Sequence, residues 1–234
     1  MRLGDIHIEL IQKSIKNVHL SVLPPHGDVR ISAPLHLSTE TIRLYAISKL
    51  PWIKQQQKKI RSQERESRRV FVNKETHYFQ GRKYLLRVYE QAGPTKVALH
   101  TRYLDLYVKP GTPTFVRQHL LNEWYRNQLK EVVPFYVRKW EKKIGVTVAA
   151  VGIKLMKTKW GSCNIEARRI WLNLELAKKP LQCLEYIIVH EMVHLLERKH
   201  NARFMAYLDK YMPQWKDYKD ELNRLPIAHS GWEY

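Results

Sequence analysis

The chain has 234 residues, of which 44% are hydrophobic and 11% aromatic. This composition is typical of a folded globular protein and excludes a disordered one. The two cysteines, Cys163 and Cys183, are too few for a disulfide framework and indicate a reducing compartment. Asp5, His7 and Glu9 interrupt the apolar run that a signal peptide needs, and no segment approaches the roughly 20 apolar residues of a membrane span. We therefore expect a soluble cytoplasmic protein with no membrane partner.

The charge balance is strongly basic. Lys and Arg number 41 against 22 Asp and Glu, which gives a formal net charge of +19. Two interpretations remain open: a solubilising surface, or a surface that attracts nucleic acid or another acidic partner. Charge of this kind bears on partners and says nothing about the fold.

The first part of the chain is predicted to be rich in strands. "NVHLSV" (17–22) and "VRISAP" (29–34) alternate apolar and polar residues, as half-buried strands do. Ser38 or Thr39 is a predicted N-cap for a helix that begins near Glu40, and Pro51 should kink or divide that helix. Its continuation to Val70 is polar nearly all round, which predicts a basic solvated helix or interaction arm.

A hairpin is predicted around Gly81, followed by a strand at "YLDLYVK" (103–109). "PGTP" (110–113) interrupts the pattern. We place the boundary of two regions there, with a β-rich N-terminal region at 1–112 and a second domain at 113–234.

The second domain is predicted to be more helical. Residues 115–145 have helical spacing with a bend at Pro134 and a C-terminal stop at Gly145. Strands are predicted at 146–158 and 169–176. Pro180 then opens a helix, and two more helices are predicted at 202–212 and 214–224, separated by Pro213.

The helix after Pro180 contains the pattern HExxH, formed by His190, Glu191 and His194. Residues four apart differ by about 40° around a helix, so both imidazoles leave one face and can bind one metal at about 2.0–2.1 Å. Glu191 lies one position round from His190. It is placed to act as a general base on water rather than as a ligand.

A third ligand is needed for a catalytic site of three ligands and one open position. If the helix continued through residue 200, His200 would lie about 240° round from His194 and face away. His200 can therefore join the site only if the chain reverses after about Glu197, with Asn201 as N-cap of the next helix. Carboxylates of the last helix remain alternative third ligands: Asp217, Asp220 and Glu221.

Four segments together resemble the YgjP-like metallopeptidase family, which is related more distantly to the SprT-like metalloproteases. They are "KWGSCN" (159–164), "IWLNLELAKKP" (170–180), "EYIIVHEMVHLLERKHNARF" (185–204) and "MPQWKDYKDEL" (212–222). With the matching N-terminal pattern, the resemblance spans about residues 15–222.

The resemblance implies a zincin-like peptidase domain that binds Zn²⁺ through His190, His194 and His200, with Glu191 as catalytic base. The family usually has Arg where this chain has Lys159. The expected fold class is α+β: a β-rich N-terminal half with a basic helix, then a peptidase half with a small sheet packed on the HExxH helix.

In a zinc peptidase, a strand near the metal can pair with an extended substrate. Lys159, Trp160, Gly161 and Ser162 are therefore candidate substrate-binding residues. The competing interpretation is a packed hairpin turn in which Trp160 anchors the core and Gly161 lets the backbone bend. Cys163 could approach the metal, but a small buried apolar role is commoner for such a residue.

Two function classes follow. The first is a zinc-dependent metallopeptidase that hydrolyses polypeptides, with nucleic-acid-associated proteins among its conceivable substrates. The second is a basic nucleic-acid-binding module whose zinc is structural and which has no hydrolytic activity. Replacement of Glu191 discriminates between them, because only the enzyme depends on a general base.

Overall fold

The computed structural model describes residues 1–23, 26–62, 69–156 and 159–224. The chain forms two compact units, one within residues 1–66 and the other within residues 67–229. Both units combine strands with helices, so the predicted α+β class is confirmed. No helix within the described ranges is long and apolar enough to cross a bilayer.

The first unit is a four-stranded sheet with two helices. Its sheet has the order β1-β2-β4-β3, with β2 and β4 parallel. The strands are β1 (Arg2–Leu3), β2 (Ile6–Lys13), β3 (His19–Leu23) and β4 (Asp28–Pro34). The helices are α1 (Thr39–Ser48) and α2 (Leu50–Ser62).

Local sequence rules account for the helices of this unit. The Ser38 hydroxyl accepts a hydrogen bond from the Thr41 amide at 3.2 Å, which caps α1 as predicted. The chain divides into α1 and α2 at Lys49, just before Pro51. Ile31 and Ile42 are fully buried in the core that sheet and helices share. The predicted basic helix ends, as far as it is described, at Ser62, and residues 63–68 lie outside the described ranges.

The second unit contains two sheets. A four-stranded sheet has the order β5-β6-β8-β7, and a three-stranded sheet has the order β10-β11-β9. Their strands are β5 (Thr76–Phe79), β6 (Arg82–Glu90), β7 (Lys96–Leu99), β8 (Tyr103–Val108), β9 (Ala150–Lys154), β10 (Gly161–Asn164) and β11 (Arg169–Asn173).

Four helices and a short 3-10 helix complete the described part of this unit. The helices are α3 (Thr114–Ile144), α4 (Leu181–Val193), α5 (Ala202–Tyr211) and α6 (Trp215–Arg224), and the 3-10 helix is Leu174–Lys178. Helix α3 is capped at its C-terminal end by Gly145, whose φ of 79° is the left-handed conformation that glycine adopts without strain.

One hydrophobic core joins both sheets of the second unit to its helices. Leu104 and Leu106 of β8 are buried in the same cluster as Leu129 of α3 and Ile188 of α4. The strands of residues 76–108 therefore share a core with the helices that follow them. The boundary predicted between residues 112 and 113 stays a prediction about where the peptidase domain begins.

Local predictions can be compared with the structure at three places. The Trp-Gly-Ser-Cys segment, for which a substrate-pairing strand and a packed hairpin turn were both open, contains strand β10, which pairs antiparallel with β11. The strand expected at 169–176 ends at Asn173, because the Asn173 side chain accepts from the Glu175 amide and caps the 3-10 helix. The sequence also gave no prediction for β2, whose ladder partner β4 lies far along the chain.

Candidate active site

Helix α4 is buried on nearly every side, which makes its polar residues conspicuous. Ile188, Val189, Met192 and Val193 are fully shielded from solvent. A helix of this kind belongs to the interior of a domain, where an unpaired polar side chain is costly. His190 and Glu191 occupy that environment, and the 5% exposure of Glu191 is unusual for a carboxylate.

The end of α4 positions the remaining histidines. The helix ends at Val193, and His194 follows as its C-cap with φ −62° and ψ −20°. Because those angles are still helical, His194 leaves the same face as His190. The chain then turns, and Asn201 caps α5 by accepting from the Phe204 amide at 3.0 Å. The helix therefore ends before His200, as the three-histidine arrangement requires.

The three imidazoles converge. One ring nitrogen from each of His190, His194 and His200 lies within 4.8 Å of the other two. The Nε2 atoms of His190 and His200 are 3.0 Å apart. Nitrogens this close, on three rings, have the spacing of donors that share one ion.

The donor set fits a bound divalent metal. Burial and the neighbouring imidazoles lower the pKa of His190 to about 3, and burial also lowers the pKa of His194. Both rings are therefore neutral near pH 7, which is the form that binds a metal. His194 Nδ1 donates to the Glu197 carbonyl at 3.1 Å, which leaves its Nε2 lone pair for a ligand.

An aromatic side chain that the sequence analysis missed supports the cluster. Phe204 is fully buried, and its ring centroid lies 5.0 Å from that of His190 and 4.7 Å from those of His194 and His200. It restricts the rotation of all three rings. Its position four residues after His200 gives no signal in sequence, because the contact depends on how α5 packs on α4.

Glu191 projects beside this cluster into a cleft. Burial raises its pKa to about 8, and the positive charge of Lys159 acts in the opposite direction. A carboxyl group that is buried yet lines a cleft is the kind of group that proton transfer uses.

Gly161 gives Glu191 its space. A Cβ atom at Gly161 would lie 2.6 Å from Glu191 Oε1 and 2.9 Å from its Cδ. The glycine at this position is therefore required by the close approach of α4 to β10. The backbone bends at Trp160, and Gly161 is the first residue of the strand that follows.

Asn173 holds the segment that leads into β10. Its Nδ2 donates to the carbonyls of Met156 and Lys159 at 2.9 and 2.7 Å, while its Oδ1 accepts from the Glu175 amide at 3.1 Å. This buried side chain ties Lys159 to the end of β11. Its contribution is positioning, because it does not line the cleft.

The cleft has a volume of about 1090 Å³. The candidate residues Lys159, Trp160, Gly161 and Ser162 all line it. Further polar residues that were not among the sequence candidates also line it, among them Arg198, Lys219 and Asn223. Lys219 lies close enough to His190 for its charge to lower the pKa of that imidazole.

Among the described residues, the other candidate metal ligands and catalytic residues are not part of the group formed by the three histidines. Within the described ranges, the group of metal-binding residues does not include Asp217, Asp220 or Glu221. Cys163 lines the cleft, but burial and the charge of Glu191 raise its pKa to about 11 and keep it a thiol. Tyr hydroxyls and imidazoles can stabilise an oxyanion, but Tyr207, Tyr211 and Tyr218 do not line the cleft. His229 lies outside the described ranges.

Comparisons with known proteins give the following matches. A sequence model of a YgjP-like metallopeptidase domain matches residues 16–225. No curated protein matches the chain. Among solved structures, the metallopeptidase zymogen abylysin of Pyrococcus abyssi is similar over 41% of this chain and 100% of its own, with 20% identity and a TM-score of 0.37. The metallopeptidase zymogen jannalysin of Methanocaldococcus jannaschii is similar over 38% of this chain and 92% of its own, with 21% identity and a TM-score of 0.35.

Proposed function

This chain belongs to the YgjP-like metallopeptidase family, and from that premise we propose that it hydrolyses polypeptides with a zinc ion held by His190, His194 and His200. The observation that supports this ligand set is the convergence of the three ring nitrogens within 4.8 Å. Zn²⁺ bound there would supply a Lewis acid for the scissile carbonyl and would lower the pKa of water to about 7.

Glu191 is the general base of the proposed reaction. In its ionised form, which the charge of Lys159 favours, Glu191 accepts a proton from the attacking water and passes that proton to the leaving amine nitrogen. Gly161 and the buried wall of α4 fix the carboxylate beside the histidines. This placement matters because proton transfer depends on hydrogen-bond distance to the reacting atoms.

Strand β10 is the proposed site for the substrate backbone. It stands at the edge of its sheet, with β11 as its partner in the described ladder. An edge strand presents backbone donors and acceptors to which an extended peptide can add. Lys159, Trp160, Gly161 and Ser162 would contact that peptide, and all four line the cleft.

Replacement of Glu191 by Gln tests the proposal. We expect Glu191→Gln to retain its metal, measured by elemental analysis, and to lose hydrolysis of a fluorogenic peptide mixture. Glu185→Gln is the matched control on the same helix, because Glu185 bonds to Lys139 and Trp140 away from the cleft. Hydrolysis by Glu191→Gln at the wild-type rate would exclude the proposed base.

Elemental analysis of His200→Ala beside the wild type tests the third ligand and identifies the metal of the wild type.

A second function is favoured by one surface of the four-stranded sheet of the second unit, which has the order β5-β6-β8-β7. Tyr89 and Tyr107 stack at 5.0 Å, Arg87 lies 4.1 Å over Tyr103, and Lys96 lies 4.7 Å over Tyr107. Tyr89 and Tyr103 are more than a third exposed. Exposed aromatic rings between cations are a stacking platform for single-stranded nucleic acid, and the net charge of +19 favours the same partner.

A salt titration tests this second function. We expect single-stranded DNA to bind at low salt with an affinity that falls as salt rises. Tyr103→Ser should weaken binding, whereas Tyr45→Ser, which alters a tyrosine on α1, should not. Absence of binding at low salt would remove nucleic acid as a partner. If the metal-loaded wild type hydrolyses no peptide while DNA binds, the non-enzymatic alternative with structural zinc is favoured.

A further inference from the structure

Cationic side chains surround the cleft of the proposed peptidase. Among the described residues that line it, Lys159, Arg198 and Lys219 are cationic, whereas Glu166 and Glu191 are the carboxylates. Glu191 is buried beside the histidines, so Glu166 is the one acidic side chain of that lining exposed to solvent.

The three cations come from separate elements. Lys159 precedes β10, Arg198 lies in the turn between α4 and His200, and Lys219 is on α6. Their convergence is therefore set by tertiary packing and not by a basic run in the sequence. All three are exposed at the cleft, where a ligand can reach them.

These cations form no ion pair with a carboxylate in the described part of the chain, although the charge of Lys159 acts on Glu191. No ion pair within the described ranges involves Lys159, Arg198 or Lys219. By contrast, Lys139 and Lys178 each contact a carboxylate oxygen at 2.6–2.8 Å. Cations that line a cleft without forming an ion pair focus a positive potential on whatever enters it.

We propose that the cleft selects peptides that carry a carboxylate close to the scissile bond, with Lys159, Arg198 and Lys219 as the residues that determine this preference. The inference rests on the proposed peptidase function and adds the class of substrate. The carboxylate has two possible sources: an Asp or Glu side chain of the substrate, or the C-terminal carboxylate of a short peptide.

Four fluorogenic peptides with one common core test the proposal on the metal-loaded enzyme. The first carries Glu beside the cleaved bond and an amidated C-terminus. The second replaces that Glu with Gln, the third replaces it with Lys, and the fourth has the Gln core with a free C-terminal carboxylate. We expect kcat/KM to be highest for the Glu peptide if side chains are selected, or for the fourth peptide if the terminus is selected.

Variants of α6 connect the preference to the structure. Lys216 and Lys219 both lie over the Trp215 ring, at 5.6 and 5.5 Å, but only Lys219 lines the cleft. Lys219→Gln should reduce the ratio of kcat/KM between the preferred and the Gln peptide by about two- to fivefold, the effect of one exposed charge pair. Lys219→Glu should shift the preference toward the Lys peptide. Lys216→Gln is the matched control and should leave the ratio unchanged.

Ionic strength gives an independent measurement. Exposed charges separated by more than about 8 Å are largely screened at 0.15 M salt. The preference for the carboxylate peptide should therefore decrease as salt increases, while hydrolysis of the Gln peptide changes little.

The outcomes separate the two proposals. Equal kcat/KM for the Glu, Gln and free-terminus peptides would overturn the substrate preference and leave the peptidase intact. If no peptide is hydrolysed, the peptidase proposal fails, and the preference is decided by fluorescence anisotropy of the same peptides on metal-loaded Glu191→Gln. Equal dissociation constants in that measurement would overturn the preference as well, and tighter binding of a carboxylate peptide would support it.

Discussion

At the scale of single residues, the contact between Gly161 and Glu191 joins strand to helix at the site. The buried carboxylate of Glu191 occupies the space that a side chain at position 161 of β10 would need. The adjacent strand residues keep their pairing with β11, so the glycine is needed for space and not for flexibility. One methyl group added at this position should therefore act on catalysis more than on folding.

We expect Gly161→Ala to lower kcat by on the order of 100-fold, because a misplacement of about 1 Å at a reacting group has an effect of that size. Metal content and thermal stability should change little. The measurement is steady-state kinetics beside elemental analysis. Gly93→Ala is the control, since a Cβ there meets its nearest neighbour at an ordinary 3.5 Å. A wild-type kcat for Gly161→Ala would contradict this account of Glu191.

The cysteines give a second prediction at this scale. Burial and the charge of Glu191 raise the pKa of Cys163 to about 11, and burial with Glu221 nearby raises that of Cys183 to about 12. A raised pKa keeps the thiol protonated until the pH approaches it, so both residues should react with iodoacetamide at pH 7.5 at least about 100-fold more slowly than a free cysteine. Mass spectrometry measures this, with the urea-unfolded protein as reference. Rapid labelling of Cys163 in the folded protein would show that it is a thiolate.

At the scale of elements, the junction between α4 and α5 decides whether the third histidine can reach the other two. Two caps enclose it: His194 at the end of α4 and Asn201 at the start of α5. Only six residues, 195–200, lie between them. Because the junction is short, the two caps at its ends restrict the position of His200.

We expect Asn201→Ala to lower the free energy of unfolding by about 1 kcal/mol, the usual effect of losing an N-cap. It should also weaken metal affinity, because the cap fixes the residue next to His200. Ser38→Ala is the matched control, since it removes the N-cap of α1 in the first unit. Chemical denaturation and metal titration measure the two effects. Equal metal affinity in both variants would show that the cap does not position His200.

At the scale of the whole molecule, the chain places all of its candidate site in one of two compact units. The lining of the cleft comes from residues 159–223, within the second unit. The first unit has a separate core built on Ile8 and Ile31. A ligand that binds one folded unit stabilises that unit by mass action.

We expect removal of the metal with a chelator to lower the melting temperature of the second unit and leave that of the first unchanged. Differential scanning calorimetry measures the transitions, and return of zinc should reverse the shift. His200→Ala provides the comparison, because its melting temperature should not respond to the chelator. A chelator effect of wild-type size in His200→Ala would place the metal elsewhere.

The sequence by itself determined what depends on neighbours within one or two helical turns. The common face of His190 and His194, the caps at Ser38 and Asn201, and the stop at Gly145 follow from helix geometry and side-chain chemistry. The α+β class followed from the same periodicities. Net charge left two interpretations open, a solubilising surface or an acidic partner, and gave no location for either.

Only the tertiary structure decided the contacts between residues far apart in sequence. Three contacts require separate elements to pack together. Glu191 packs against Gly161, Asn173 donates to the carbonyl of Lys159, and Lys219 lines the cleft. Their sequence separations range from 14 to 60 residues, beyond the reach of any local pattern. The reason is physical: local propensity fixes which element forms, whereas burial of the shared core fixes which elements meet.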